Sequence, residues 1–143
     1  IGAGSGYAAA LLSRLCATVV TVERLPELAQ SARDRLAGLG YDNVIVVCAD
    51  GTQGYEPAAP YDAIGVAAGG PEIPSALRSQ LKIGGRLVLP VGGQEEQILV
   101  RVNRLGSSNF HEERICKVRF VPLIGQQGWP EPIEGSEVLP PND

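Results

Sequence analysis

The sequence predicts an α/β fold: a doubly wound, mostly parallel sheet that ends in a C-terminal antiparallel hairpin. Three observations carry this. The chain opens on a glycine-spaced loop, IGAGSG, that runs directly into an Ala- and Leu-rich stretch. Apolar, β-branched runs then alternate with segments of helical period, the pattern of strands joined by crossover helices. After Gly92 the rhythm changes, and two alternating segments follow on either side of a GSSN turn.

The elements follow in order. Tyr7 to Leu15 has no internal breaker and suits a helix. Thr18 to Arg24 and Asn43 to Asp50 are apolar on both faces, which predicts strands buried on both sides. Between them Pro26 can open a helix whose apolar face would be Leu28, Ala32, Leu36 and Leu39, stopped by Gly38 and Gly40. The turn-rich GTQGYEPAAP leads into a third strand, YDAIGVAAGG, which ends in glycines. Pro71 to Leu81 fits a short helix with Ala76, Leu77 and Leu81 on one face. Arg86 to Gly92 is a further strand, and QILVRVNR with ERICKVRFVPL forms the hairpin.

These boundaries divide the chain into one domain over 1–125 and a Pro-, Gly- and acid-rich covering loop or linker over 126–143. A linker of this kind suits a junction with a further domain. The glycine loop should follow a first strand that is central to a doubly wound sheet, yet only Ile1 of it stands here. The expectation is that the fold is truncated at that strand and that the biological chain continues upstream of Ile1.

Composition narrows the function. The 143 residues, 44% of them hydrophobic, are enough for one ordinary core. A formal net charge of −4 without a Lys/Arg run leaves nucleic acid no electrostatic footprint. No apolar run approaches the roughly 20 residues that span a bilayer, and the expected location is cytoplasmic. Cys16, Cys48 and Cys116 stand singly and read as buried free thiols, and the one histidine, His111, as a solvated hairpin residue. No metal site is expected from so few ligands.

What remains is a constellation on the carboxyl edge of the predicted sheet, where open α/β folds bind ligands. Gly2, Gly4 and Gly6 permit unusual backbone angles and close approach of a ligand. Glu23 ends the next strand about twenty residues on, where an acid can hydrogen-bond a ribose diol. Asp50, followed by Gly51, ends the strand after that. A dinucleotide fingerprint would place its third glycine where Tyr7 stands, so the match to NAD is imperfect. An acid for a ribose, an acid near an adenine amine and a loop open to an amino-acid end favour S-adenosylmethionine. The plainer readings are glycines that serve tight packing, a solvated Glu23 and an Asp50 that merely caps a turn. Trp129 reads as either a surface plug or a partner contact.

GAGSGYAAA, VVTVER, GYDNVIVVCADGTQGY, APYDAIGVAAGGPEIPSAL, LKIGGRLVLPVG and VRFVPLIG together resemble the protein L-isoaspartyl O-methyltransferase family, in order and spacing. The PEIP segment and the RFVPL segment after a hairpin are its most particular marks. The resemblance implies the Rossmann-like class I methyltransferase fold. It also implies methyl transfer from S-adenosylmethionine, leaving S-adenosylhomocysteine, to the α-carboxylate of L-isoaspartyl residues in damaged proteins. The ester then collapses to a succinimide, which allows repair. On this reading Gly2, Gly4, Ser5 and Gly6 line the methionine end, Glu23 the ribose, and Asp50 with Gly51 the adenine. Val121, Pro122 and Leu123 lie beside the isoaspartyl peptide. Family members hold the substrate carboxylate with hydroxyl-bearing residues N-terminal to the glycine loop, so catalytic contacts are expected upstream of Ile1. The rival expectations are a cofactor-binding module without catalysis, within a larger or fused chain, and an NAD-dependent oxidoreductase.

Overall fold

The computed structural model describes residues 1–133; residues 134–143 of the predicted linker lie outside the described residues. Helix α1 (Tyr7–Ser13) follows the glycine loop, and strand β1 (Val19–Glu23), helix α2 (Pro26–Gly38) and strand β2 (Val44–Cys48) come next. Two single 3-10 turns, Gly51–Gln53 and Glu56–Ala58, lead to β3 (Tyr61–Gly65). Helix α3 (Ser75–Ser79) precedes the long β4 (Leu81–Gly92), then β5 (Gln97–Arg104) and β6 (Phe110–Val118).

β1 and β2 pair in parallel, and β3-β4-β5-β6 form a second ladder, parallel from β3 to β4 and antiparallel beyond. Ile1 and Gly2 stand between the two. The Ala67 amide donates to Ile1 O at 2.9 Å on one side, and the Gly2 amide donates to Val22 O at 2.8 Å on the other. The expected α/β architecture with its terminal antiparallel hairpin is therefore present, and the start of the glycine loop is the seam of the sheet.

The core lies under β4 and β5, where Leu77, Leu81, Leu87, Leu89 and Val102 are fully buried with Val100 and Leu123 around them. Each fully buried leucine contributes about 1.5–3 kcal/mol. Two glutamines are buried with them. Gln80 accepts from the Tyr55 amide at 3.0 Å and donates to Gln53 O at 2.9 Å, tying the end of α3 to the turns before β3. Gln97 donates to Gly93 O at 2.7 Å and accepts from the Phe120 amide at 2.8 Å. Both amides are satisfied, as burial requires.

Several sequence expectations are corrected. All three cysteines are exposed: Cys48 ends the outer strand β2, Cys116 lies on the outer strand β6, and Cys16 follows the end of α1. β2 is not doubly buried, since an outermost strand has a neighbour on one side only and Ile45 stays 49% exposed. β1, one place further in, is buried as expected. In α2 the buried stripe is Ala29, Ala32 and Leu36, so Ala32 and Leu36 face inward as expected while Leu28 and Leu39 are exposed and Ala29 takes the inner place. α3 spans only five residues because Pro74 caps it and Leu81 is drawn into β4 opposite Tyr61. His111 is exposed near the hairpin tip, as expected.

Candidate functional site

The glycine loop turns through three left-handed positions, with φ of 86° at Gly2, 52° at Gly4 and 89° at Gly6. That conformation costs an L side chain roughly 1–2 kcal/mol per residue, so glycine is required by the turn itself. A Cβ at Gly4 would meet nothing within 4 Å, and the loop there is an open cradle. Gly6 is different, for it packs against the Leu36 side chain and seats α1 on α2. Arg35 donates to Ser5 O at 2.6 Å and braces the outer side of the loop.

Glu23 closes the cradle from below. Its Oε2 accepts from the Gly4 amide at 2.9 Å and its Oε1 from the Leu25 amide at 3.2 Å, with the residue only 7% exposed. A buried carboxylate held by two backbone donors is a charge set in place, not a solvated strand end. Each oxygen keeps a lone pair for a further donor. The Ala49 amide donates to Glu23 O at 3.1 Å, which brings the end of β2 alongside.

Asp50 performs the plainer role weighed for it and more. Oδ1 accepts from the Thr52 amide at 2.9 Å and the Thr52 hydroxyl at 2.7 Å, capping the first 3-10 turn, while Oδ2 accepts from the Gln126 amide at 2.8 Å. Three of about four lone pairs are used, which leaves one on Oδ2. Burial opposes ionisation here, but the Gln126 amide, the Thr52 hydroxyl and the Thr52 amide together outweigh it and hold the Asp50 carboxyl below its ordinary pKa. Gly51 is buried directly against the Ile1 side chain, and any Cβ would overlap it.

The third group lies across the same edge. Gly69 donates to Val121 O at 2.8 Å and accepts from the Leu123 amide at 2.8 Å, so 121–123 pairs with the end of the third strand's extension. Leu123 is buried in the core; Val121 and Pro122 are exposed. An open groove of about 460 Å³ is lined by Pro71, Glu72, Ile73, Ser75, Arg78 and Val91, and Val91 pairs with Gly70, the residue after Gly69.

Sequence reasoning missed the side chains that join these groups. Gln127 donates its amide to the Thr52 hydroxyl at 3.1 Å, and its side-chain oxygen accepts from the Ala76 amide at 3.2 Å. Gln53 and Gln126 pair at 2.7 Å, and the Trp129 indole donates to Gly69 O at 3.1 Å. Residues 126–131 therefore cover the domain, with Glu131 paired to Arg24 at 2.6 Å. The available signals were the Asp-Gly-Thr turn and the amide of Gln97 at the head of β5.

The latch at Asp50 has a pH signature. An unfolded aspartate titrates near 3.9, and the folded value lies lower; the stabilisation is full above the unfolded value and is lost as pH falls through the folded one. Acrylamide quenching of Trp129 is expected to stay flat from neutral pH to about 4 and to rise below it, with that step missing in Asp50→Asn. A step centred above about pH 5 would assign the latch to another group.

Among the described residues no group of three or more His, Cys, Asp or Glu side chains is placed to hold a metal ion, and no helix is long and apolar enough to cross a membrane.

A family model for "Protein-L-isoaspartate(D-aspartate) O-methyltransferase (PCMT)" matches residues 1–128. The protein-L-isoaspartate O-methyltransferase of Rhodopseudomonas palustris is 58% identical over 133 residues, covering 92% of this chain and 61% of the relative. Protein-L-isoaspartate O-methyltransferase 2 of Pelobacter propionicus is 57% identical over 130 residues, covering 90% of this chain and 58% of its own length. The chain thus spans about three fifths of these curated relatives. A solved protein-L-isoaspartate O-methyltransferase superposes with a TM-score of 0.82 at 32% identity, over 89% of this chain and 41% of that one. A Plasmodium falciparum beta-aspartate methyltransferase, solved in complex with S-adenosyl-L-homocysteine, shares the fold at a TM-score of 0.71 and 24% identity, over 86% of this chain and 63% of that one.

Proposed function

Because this chain belongs to the protein-L-isoaspartate(D-aspartate) O-methyltransferase family, we propose that it transfers a methyl group from S-adenosylmethionine to the α-carboxylate of L-isoaspartyl residues in damaged proteins. The observation that carries the reading to this site is the open cradle at Gly4, whose amide is held by the buried carboxylate of Glu23.

The residues fit the cofactor. Gly4 leaves space for its amino-acid end, Gly2 and Ser5 would line that end on either side, and Gly6 holds the turn against Leu36. The remaining lone pairs of Glu23 would accept from ribose hydroxyls, and the remaining one on Asp50 Oδ2 would accept from an adenine amine, with Gly51 beside it. Of the segment Val121, Pro122 and Leu123, the exposed Val121 and Pro122 would form the peptide side through backbone contacts and shape, while Leu123 anchors them to the core.

When bound, S-adenosylmethionine supplies a methyl carbon activated by the neighbouring sulfonium, and an ionised carboxylate can attack it in line. An ionised nucleophile needs no general base, so the protein's contribution is alignment. The cradle sets one partner, and the paired Gly69 and 121–123 backbone sets the wall for the other. Holding both on one rigid sheet edge converts a bimolecular encounter into an oriented one.

The test is the chemical nature of the product. Label transferred from S-adenosylmethionine to an isoaspartyl peptide by the full-length protein should leave as methanol in mild alkali, as a carboxyl ester does. Alkali-stable label would mark an N-methyl product and overturn the reading.

A further inference from the structure

We propose that Trp129 is a positioning residue for the peptide side of this site, resting on the function proposed above. The geometry points to it because both ends of the substrate-side segment are fixed and Trp129 supplies one of the fixings. At the near end, the fully buried Gln97 accepts from the Phe120 amide, and its own amide is held by Gly93 O and Gln94 O. At the far end, Gly69 O accepts two donors, the Leu123 amide at 2.8 Å and the Trp129 indole at 3.1 Å.

The backbone of Trp129 closes the turn as well. Its amide donates to Leu123 O at 2.8 Å, and its carbonyl accepts from the Gly125 amide at 3.0 Å. Gly128 faces Leu123 O so closely that any Cβ there would overlap it. The loop between Leu123 and Trp129 thus folds back onto the segment that precedes it. The same loop is anchored to the cofactor side through the Gln126 amide on Asp50 and the Gln127 amide on Thr52.

Trp129 therefore acts through Gly69 and Leu123. Its indole N–H orients the carbonyl that also receives Leu123, and so it sets where the exposed Val121 and Pro122 stand. A residue of this kind changes how well peptide is bound while leaving the reacting atoms and the cofactor untouched.

The test uses the full-length protein with Trp129→Phe, which keeps an aromatic ring without the N–H, and Trp129→Ala. The expected result is a KM for isoaspartyl peptide raised about tenfold in the alanine variant and about threefold in the phenylalanine variant. In both, kcat and the S-adenosylmethionine Kd stay within about twofold of the parent. A Trp129 that only plugs the surface gives the opposite pattern: KM unchanged, with a lower melting temperature and a smaller active fraction. That result overturns the proposal and leaves the function standing. Failure of the parent protein to methylate the isoaspartyl peptide at all overturns both.

Discussion

Replacing Glu23 by alanine is expected to weaken S-adenosylmethionine binding by roughly ten- to a hundredfold, about 1.5–3 kcal/mol. The carboxylate has two tasks, and alanine ends both. It holds the Gly4 amide at 2.9 Å, which fixes the cradle's floor, and on the proposed reading its remaining lone pairs would accept from a ribose. Hydrogen bonds to a charged group fall at the strong end of the range because the surroundings are shielded from water. Glu23→Gln separates the tasks. The amide keeps one acceptor oxygen, but its NH2 group must face either Gly4 or Leu25, so one backbone donor loses its partner. Calorimetric titration well below the melting temperature checks this, and an affinity unchanged by Glu23→Ala would remove the residue from the site.

Gly6→Val is expected to be the most damaging single change to stability in the loop. At φ of 89° a β-branched residue sits in a region it adopts only under strain, at a cost of about 1–3 kcal/mol. Its Cβ would also stand 3.2 Å from Leu36 Cδ1 and Cγ, where Leu36 is only 3% exposed and has little room to give. Crowding of this kind adds about 1–3 kcal/mol. Against a typical total of about 5–15 kcal/mol the sum is a large fraction. The consequence reaches the glycine loop, because α1 is seated on α2 through this contact and carries the loop with it. Gly38→Ala is the control. That glycine ends α2 with a negative φ and open space around its Cβ, so alanine there should leave stability unchanged or slightly raised. Urea midpoints that fall equally for the two variants would contradict the account.

The parts of the site that were legible in the sequence are those with a local signature. Glycines at Gly2, Gly4 and Gly6 announce left-handed turns, and an acid about twenty residues later at the end of an apolar run announces Glu23. Both readings follow from chain-local rules, and the structure places the two groups in direct contact. The capping role of Asp50 was also local, resting on a residue two positions away.

What was not legible depends on partners far along the chain. Gln126 meets Asp50 across 76 residues, Trp129 meets Gly69 across 60, and Gln97 meets Phe120 across 23. Side-chain bonds to irregular backbone have no period, so no window of sequence displays them. The exposure of Cys48 and Ile45 was misjudged for a related reason. An apolar run reports that a strand is suited to burial; whether it stands inside the sheet or at its rim is set by topology.

The deciding experiment is methyl transfer by the full-length protein to an isoaspartyl peptide and to its aspartyl twin of the same sequence, with labelled S-adenosylmethionine. Label is expected in the isoaspartyl peptide alone, lost in parallel with cofactor affinity in Glu23→Ala. Equal labelling of both peptides, or none of either while S-adenosylmethionine still binds, would contradict it.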